Sequence, residues 1–296
     1  MKVKITVWCF SIFTLFTLNA CDDSSSLTNS NPPAPTHLAV PQTPDPVVAQ
    51  TPDPVVAQTP VPTVVPEKPL ALIYKGPGSC SLDQGDAGKS GYGCSEASAD
   101  AATLAGFQYR FVGPKDLPEN ATTAQINAIF GKAKVWIQPG GVSNKAYFAM
   151  TASLRKAIVN FVSRGGGCVG FCAGAFLGTD WFNLLHAHAT AYSYSPIRRD
   201  LNYTYLPIKW SGTLRTLYFE GGPYFSGLGD SVEVMANFED GTVAAVRDTY
   251  GMGRVYLSGP HPEAPNIWGA EDGMSDPDGS DVFIAASMIS WTALAQ

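Results

Sequence analysis

The chain has 296 residues, of which 45% are hydrophobic, 11% aromatic and only 15% charged, a composition that builds a globular core and excludes wholesale disorder. Lys plus Arg number 19 against 25 Asp plus Glu, a net charge of −6. No basic excess exists to neutralise phosphates, so a nucleic-acid partner is not expected. The six cysteines are too few at this length for a disulfide scaffold.

Met1-Lys2-Val3-Lys4 carries two positive charges ahead of an uncharged apolar run from Ile5 to Leu18. The run is shorter than the roughly 20 residues that span a bilayer, and it reads as the core of a secretory signal over 1–20. Leu18-Asn19-Ala20-Cys21 resembles the lipobox of bacterial lipoproteins, with Asn19 the less usual choice. The resemblance implies cleavage before Cys21, lipidation of its thiol, and a protein anchored in the bacterial cell envelope, facing the periplasm or exterior. Asp22 resembles the signal that retains such proteins in the inner membrane. The other reading is a plain secretory signal cut after Ala20. Residues 21–69 hold 12 of the 23 prolines and repeat Gln-Thr-Pro-Asp-Pro-Val-Val-Ala at 42–49 and 50–57. Such a segment builds no core and is expected to be an extended tether.

Residues 70–296 are expected to form the folded domain. Leu70–Tyr74 is a continuous apolar run closed by Gly76-Pro77-Gly78, as in a strand buried on both faces. A helix is expected near 96–105 and a strand over 107–112. Thr122 caps a helix reaching Ile129, and a third strand over 134–137 runs into Pro139-Gly140-Gly141. Leu154, Ala157, Ile158, Phe161 and Val162 recur with helical spacing before Gly165-Gly166-Gly167, and 168–171 is a fourth strand. Alternating strands and helices imply right-handed crossovers and an α/β fold: a mostly parallel central sheet with helices on both faces. A few antiparallel strands are expected among 205–210, 214–219, 232–238, 243–246 and 254–257. A last helix over 282–294 follows capping candidates Ser280 and Asp281.

Gly170-Phe171-Cys172-Ala173-Gly174 has the G-x-nucleophile-x-G form of a nucleophile elbow between strand and helix. The glycines fit a strained turn whose flanking side chains would collide with neighbouring strands. The helix start favours a thiolate at Cys172. Gly259-Pro260-His261-Pro262-Glu263 follows the strand at 254–258. A His at a strand end, with a carboxylate two residues on to orient it, is the partner that a thiol nucleophile needs. The blander readings are a buried structural cysteine and an ordinary polar loop.

Together these residues resemble class I glutamine amidotransferases, which pair a G-x-C-x-G elbow with a late His-x-Glu. The segments 73–78, 138–141, 166–176, 221–225 and 257–263, in that order, are most similar to the amidotransferase-like domain found at the amino terminus of eukaryotic biotin-protein ligases. The resemblance covers 70–296 and implies a flavodoxin-like layered sheet. It makes Cys172 the nucleophile, His261 the base and Glu263 its orienter, with backbone N–H groups of Ala173 and of Gly140 or Gly141 as the oxyanion hole. Neither an ammonia-accepting synthase domain nor a biotin-ligase catalytic domain accompanies it.

No third ligand accompanies His186 and His188, so no metal site is expected. Asp276–Asp281 departs from a calcium loop in its Gly position and lacks the closing Glu. It reads as a turn. No cofactor is expected. Cys80 and Cys94 bracket a Gly-rich loop and are expected to form a disulfide, leaving Cys168 a buried inert thiol and Cys172 free. The expected activity is a thiol hydrolase or amidase on a small-molecule or peptide-like substrate, through a thioester. The alternative is a catalytically idle binding module in which Gly222, Pro223 and Tyr224 grip a ligand or partner.

Overall fold

A computed structural model describes residues 67–81, 91–193, 203–271 and 273–294. The signal, Cys21, Asp22 and nearly all of the tether lie outside these. Strands β1 (Leu70–Tyr74), β2 (Gln108–Val112), β3 (Ala133–Gln138), β4 (Gly167–Phe171) and β11 (Gly253–Ser258) form the parallel half of one sheet in the order β2-β1-β3-β4-β11. The sheet continues antiparallel through β10 (Val243–Tyr250), β9 (Glu233–Phe238), β6 (Tyr203–Trp210) and β7 (Thr213–Glu220). A four-residue strand pair, β5 (His188–Ala191) and β8 (Pro223–Ser226), flanks it on β10.

The period-2 alternation of β1 separates two cores. Ala71 and Ile73 pack with Val135, Ile137, Val169 and Phe171 against helices α1 (Cys94–Leu104) and α7 (Val282–Ala293). Leu72 and Tyr74 pack with Trp136, Cys168 and Leu257 on the other face, against α2 (Thr123–Phe130) and α4 (Ala152–Ser163). Leu154, Ile158 and Val162 of α4 are fully buried, each contributing roughly 1.5–3 kcal/mol of transfer free energy. Thr122 caps α2 through a reciprocal box with Gln125, and Thr151 caps α4, satisfying amide donors that a helix start leaves free. Gly165 takes φ +111° after α4, whereas Gly167 already belongs to β4.

At α7 the expected caps act differently. Asp281 occupies the cap position, but its carboxylate makes no cap bond and instead accepts from Arg215 Nε at 2.8 Å. Ser280 Oγ accepts from Val282 N at 3.4 Å. Two short helices escaped the sequence patterns, α3 (Ser143–Ala149) and α6 (Asn266–Ala270), whereas α5 (Ala173–Phe176) is the one expected after the elbow. Among the described residues no helix is long and apolar enough to cross a membrane.

Candidate active site

The C-terminal ends of three neighbouring strands, β3, β4 and β11, bring together Gly140-Gly141, Cys172 and His261. In an open α/β sheet this edge is where ligands bind. Cys172 lies between β4 and α5 with φ +49°, ψ −107°, a conformation that costs a residue with a Cβ on the order of 1–3 kcal/mol. Its flanking glycines are required by contact. A Cβ on Gly174 would fall 2.0 Å from Gln138 O in β3, and one on Gly170 would fall 2.6 Å from Gly174 O and 2.8 Å from Leu257 Cδ2 in β11. The helix expected after the elbow is one α-turn, continuing directly into a π-helical turn over Leu177–Trp181.

His261 is 3% exposed and Glu263 2%. His261 Nδ1 donates to Glu263 Oε1 at 2.9 Å, while Glu263 Oε2 has no hydrogen-bond partner among the described residues. Burial alone would push the imidazole pKa down, but the Glu263 carboxylate and the Cys172 sulfur, which also hydrogen-bonds the ring, hold it well above the ordinary value. The ring is fixed on its flanks by Trp268 and Tyr218, both edge-on at 5.6 and 5.9 Å between centroids. Its backbone N–H donates to Tyr218 O at 2.9 Å.

Gly140 faces the same imidazole: a Cβ there would stand 2.6 Å from His261 Cε1. Gly141 takes φ +132°, and a Cβ on it would lie 2.2 Å from Gly78 O. The N–H groups of Gly140, Gly141 and Ala173 donate no hydrogen bond among the described residues. They are therefore free to receive a developing oxyanion.

The Cys172 thiol is 5% exposed and donates to Glu220 O at 3.2 Å. Of the segment expected to grip a ligand, Gly222 is a packing position, since its Cβ would meet Gly259 O at 2.0 Å. Pro223 is buried in β8, and Tyr224 lies edge-on to Tyr192. The Glu220 carbonyl is the group here that meets the thiol, and a backbone oxygen leaves no side-chain signature to read in advance.

Cys80 and Cys94 are disulfide-bonded, with Cα atoms 5.0 Å apart. Cys168 and Cys172 are free and buried, and burial pushes the Cys168 thiol up to about 12. His188 lies in β5, and no group of three or more metal-ligating side chains occurs among the described residues.

No family model and no curated protein matches the chain. Among solved structures it is similar to PurLQS from Thermotoga maritima, with 17% identity, 74% of this chain and 98% of that chain covered, and a TM-score of 0.49. It is similar also to a protein described as a GMP synthase subunit from Thermoplasma acidophilum, with 11% identity, 77% and 96% covered, and a TM-score of 0.49. A third is a glutamine amidotransferase, with 22% identity, 57% and 85% covered, and a TM-score of 0.45.

Proposed function

We propose that the chain is a cysteine hydrolase or amidase of glutamine amidotransferase-like type, similar in motif order to the biotin-protein ligase amino-terminal domain. We also propose that Cys21 anchors it to the bacterial envelope through lipid, with Asp22 favouring the inner membrane. The observation that carries the activity is the convergence of a strained Cys172 with a buried imidazole–carboxylate pair. In the reaction, the Cys172 thiol passes its proton to His261 and its sulfur attacks the carbonyl carbon of an amide, whose oxygen takes up charge facing the N–H groups of Ala173 and of Gly140 or Gly141. The C–N bond breaks, His261 gives its proton to the leaving amine, and a thioester remains. Water, losing a proton to His261, releases the acid and restores the thiol. Glu263 keeps the imidazole in one orientation and stabilises its charged form.

One contact favours the idle binding module instead: the thiol is capped by the Glu220 carbonyl. A thiol-directed acyl probe separates the two readings. The enzyme reading expects an adduct on Cys172 that disappears in Cys172→Ser and weakens in His261→Ala. A probe that labels wild type and His261→Ala alike would favour the binding module.

A further inference from the structure

We propose that the Cys80–Cys94 disulfide is a positioning element of the Cys172 site, holding Gly140 against the His261 ring so that the site's competence depends on that bond. The inference rests on the roles given above to Cys172, His261 and Glu263.

The contacts run from the disulfide to the imidazole in two short paths. On one side, Cys80 N–H donates to Gly140 O at 3.2 Å and Val142 N–H to Gly78 O at 2.8 Å. Ser79 pairs with Gly141 in an isolated antiparallel bridge. These contacts bind 78–80 alongside 140–142. The position of a Gly140 Cβ lies 3.1 Å from Cys94 Sγ and 2.6 Å from His261 Cε1, so the glycine is wedged between sulfur and imidazole with no room for a side chain. On the other side, Cys94 is buried in one cluster with Tyr218 and Trp268. Trp268 Nε1 donates to Tyr92 O at 2.7 Å, two residues before Cys94, while its ring lies edge-on to His261. Ser95 N–H donates to Cys80 O at 3.1 Å and closes the loop. Both walls of the imidazole are thus tied to the segments that the disulfide joins.

Reduction by a dithiol places two electrons and two protons on the two sulfurs and leaves the dithiol oxidised to its own disulfide. Cys80, the partly exposed member, is the sulfur open to attack. Once the bond is gone, no covalent link joins the segment paired with Gly140 to the start of α1, and hydrogen bonds, the Lys75–Glu96 ion pair and packing are what remain. The ring then gains freedom to leave the sulfur, and a proton on it no longer favours the thiolate.

The test uses the full chain in four forms: oxidised, reduced with dithiothreitol and then freed of it, reoxidised, and the double variant Cys80→Ser/Cys94→Ser. The readout is the iodoacetamide rate at Cys172 across pH, followed by peptide mass so that the other thiols do not interfere. Loss of the bond should slow Cys172 at neutral pH about tenfold, the equivalent of about 1.4 kcal/mol, and alter the pH profile. Reoxidation should restore both, and it decides the matter if the double variant does not fold. Identical profiles in all forms, with His261→Ala still altering the oxidised protein, would overturn the positioning role alone. If His261→Ala leaves the oxidised profile unchanged, the catalytic reading itself fails and this inference goes with it.

Discussion

At Cys172, His261 and Glu263 the decisive terms are local. A φ of +49° on a non-glycine residue persists only where its surroundings fix it. Here Cys172 N–H is bound to Ser258 O at 2.8 Å, and the residues two places away on each side, Gly170 and Gly174, are closely packed glycines. His261→Ala should slow Cys172 alkylation at neutral pH by about tenfold, the equivalent of about 1.4 kcal/mol, because it removes the charged ring that hydrogen-bonds the sulfur. Glu263→Gln should act in the same direction but less strongly, because it leaves the ring in place. An unchanged rate in His261→Ala would remove the catalytic assignment. The same histidine sets a pH dependence of stability. Burial lowers its affinity for the proton, Glu263 and then Cys172 raise it, and the net shift is upward. A raised folded pKa gives a contribution that is complete below the ordinary imidazole range and is lost as pH rises through the folded value. In Glu263→Gln that loss should occur at lower pH, which urea midpoints measured from mildly acidic to alkaline buffer will register. The Gly140 contact with His261 Cε1 was not legible beforehand. The glycine pair itself was, but nothing in a glycine names the ring that it must clear.

Elements position these residues by close approach, and two substitutions probe that. Gly174→Ala drives a methyl toward Gln138 O, 2.0 Å away on β3. Overpacking of this kind costs about 1–3 kcal/mol, so the urea midpoint should fall while α4 and α7, remote from the elbow, keep their helical signal. The second concerns the start of α7, where Arg215 from β7 binds Asp281 at 2.8 Å and Asp278 at 3.3 Å. Burial raises the Asp281 carboxyl to about 6, with Arg215 opposing the shift. Arg215→Met leaves a 5% exposed carboxylate without its cation, a change that costs about 3 kcal/mol for a buried pair. The loss of melting temperature should be large at neutral pH and should shrink as pH falls through 6, where Asp281 is protonated and neutral in the fold. An equal loss at both pH values would show that Arg215 acts by packing alone. Strong local signals made much of this scale readable: the apolar run of β1, the Thr122 cap and the helical spacing of α4. The β5–β8 pair and α3 gave no such signal, being four-residue strands and a helix whose one buried residue is Ala146. The Asp281 carboxylate looked like a cap because its partner comes from β7, 66 residues away in sequence.

For the whole molecule, the parallel order β2-β1-β3-β4-β11 places the thiol and the imidazole on adjacent strand ends. The motifs were legible as strand-end motifs. The adjacency of β4 and β11 was not, because the whole antiparallel excursion from β5 to β10 separates them in the chain. Attachment to an envelope is a question at this scale too, because no helix among the described residues is fit to cross a bilayer. On the proposed lipoprotein reading, a membrane-bound form depends on Cys21. A single myristoyl-length chain binds membranes only marginally, with an association constant of about 10⁴ M⁻¹, whereas two or more chains anchor stably. In the proposed lipoprotein, a diacylglycerol on the Cys21 thiol would meet that requirement from one residue. Cells fed labelled palmitate should incorporate it into the wild-type chain, and the labelled protein should sediment with membranes. Cys21→Ser should carry no label and keep the uncleaved signal. The apolar run from Ile5 to Leu18 would then be the only hold on the membrane, and it is shorter than the roughly 20 residues of a spanning helix. Washing with carbonate should thus release the variant more readily than the lipidated protein. Equal palmitate incorporation into wild type and Cys21→Ser would exclude Cys21 as the anchor and leave 1–20 as a plain export signal.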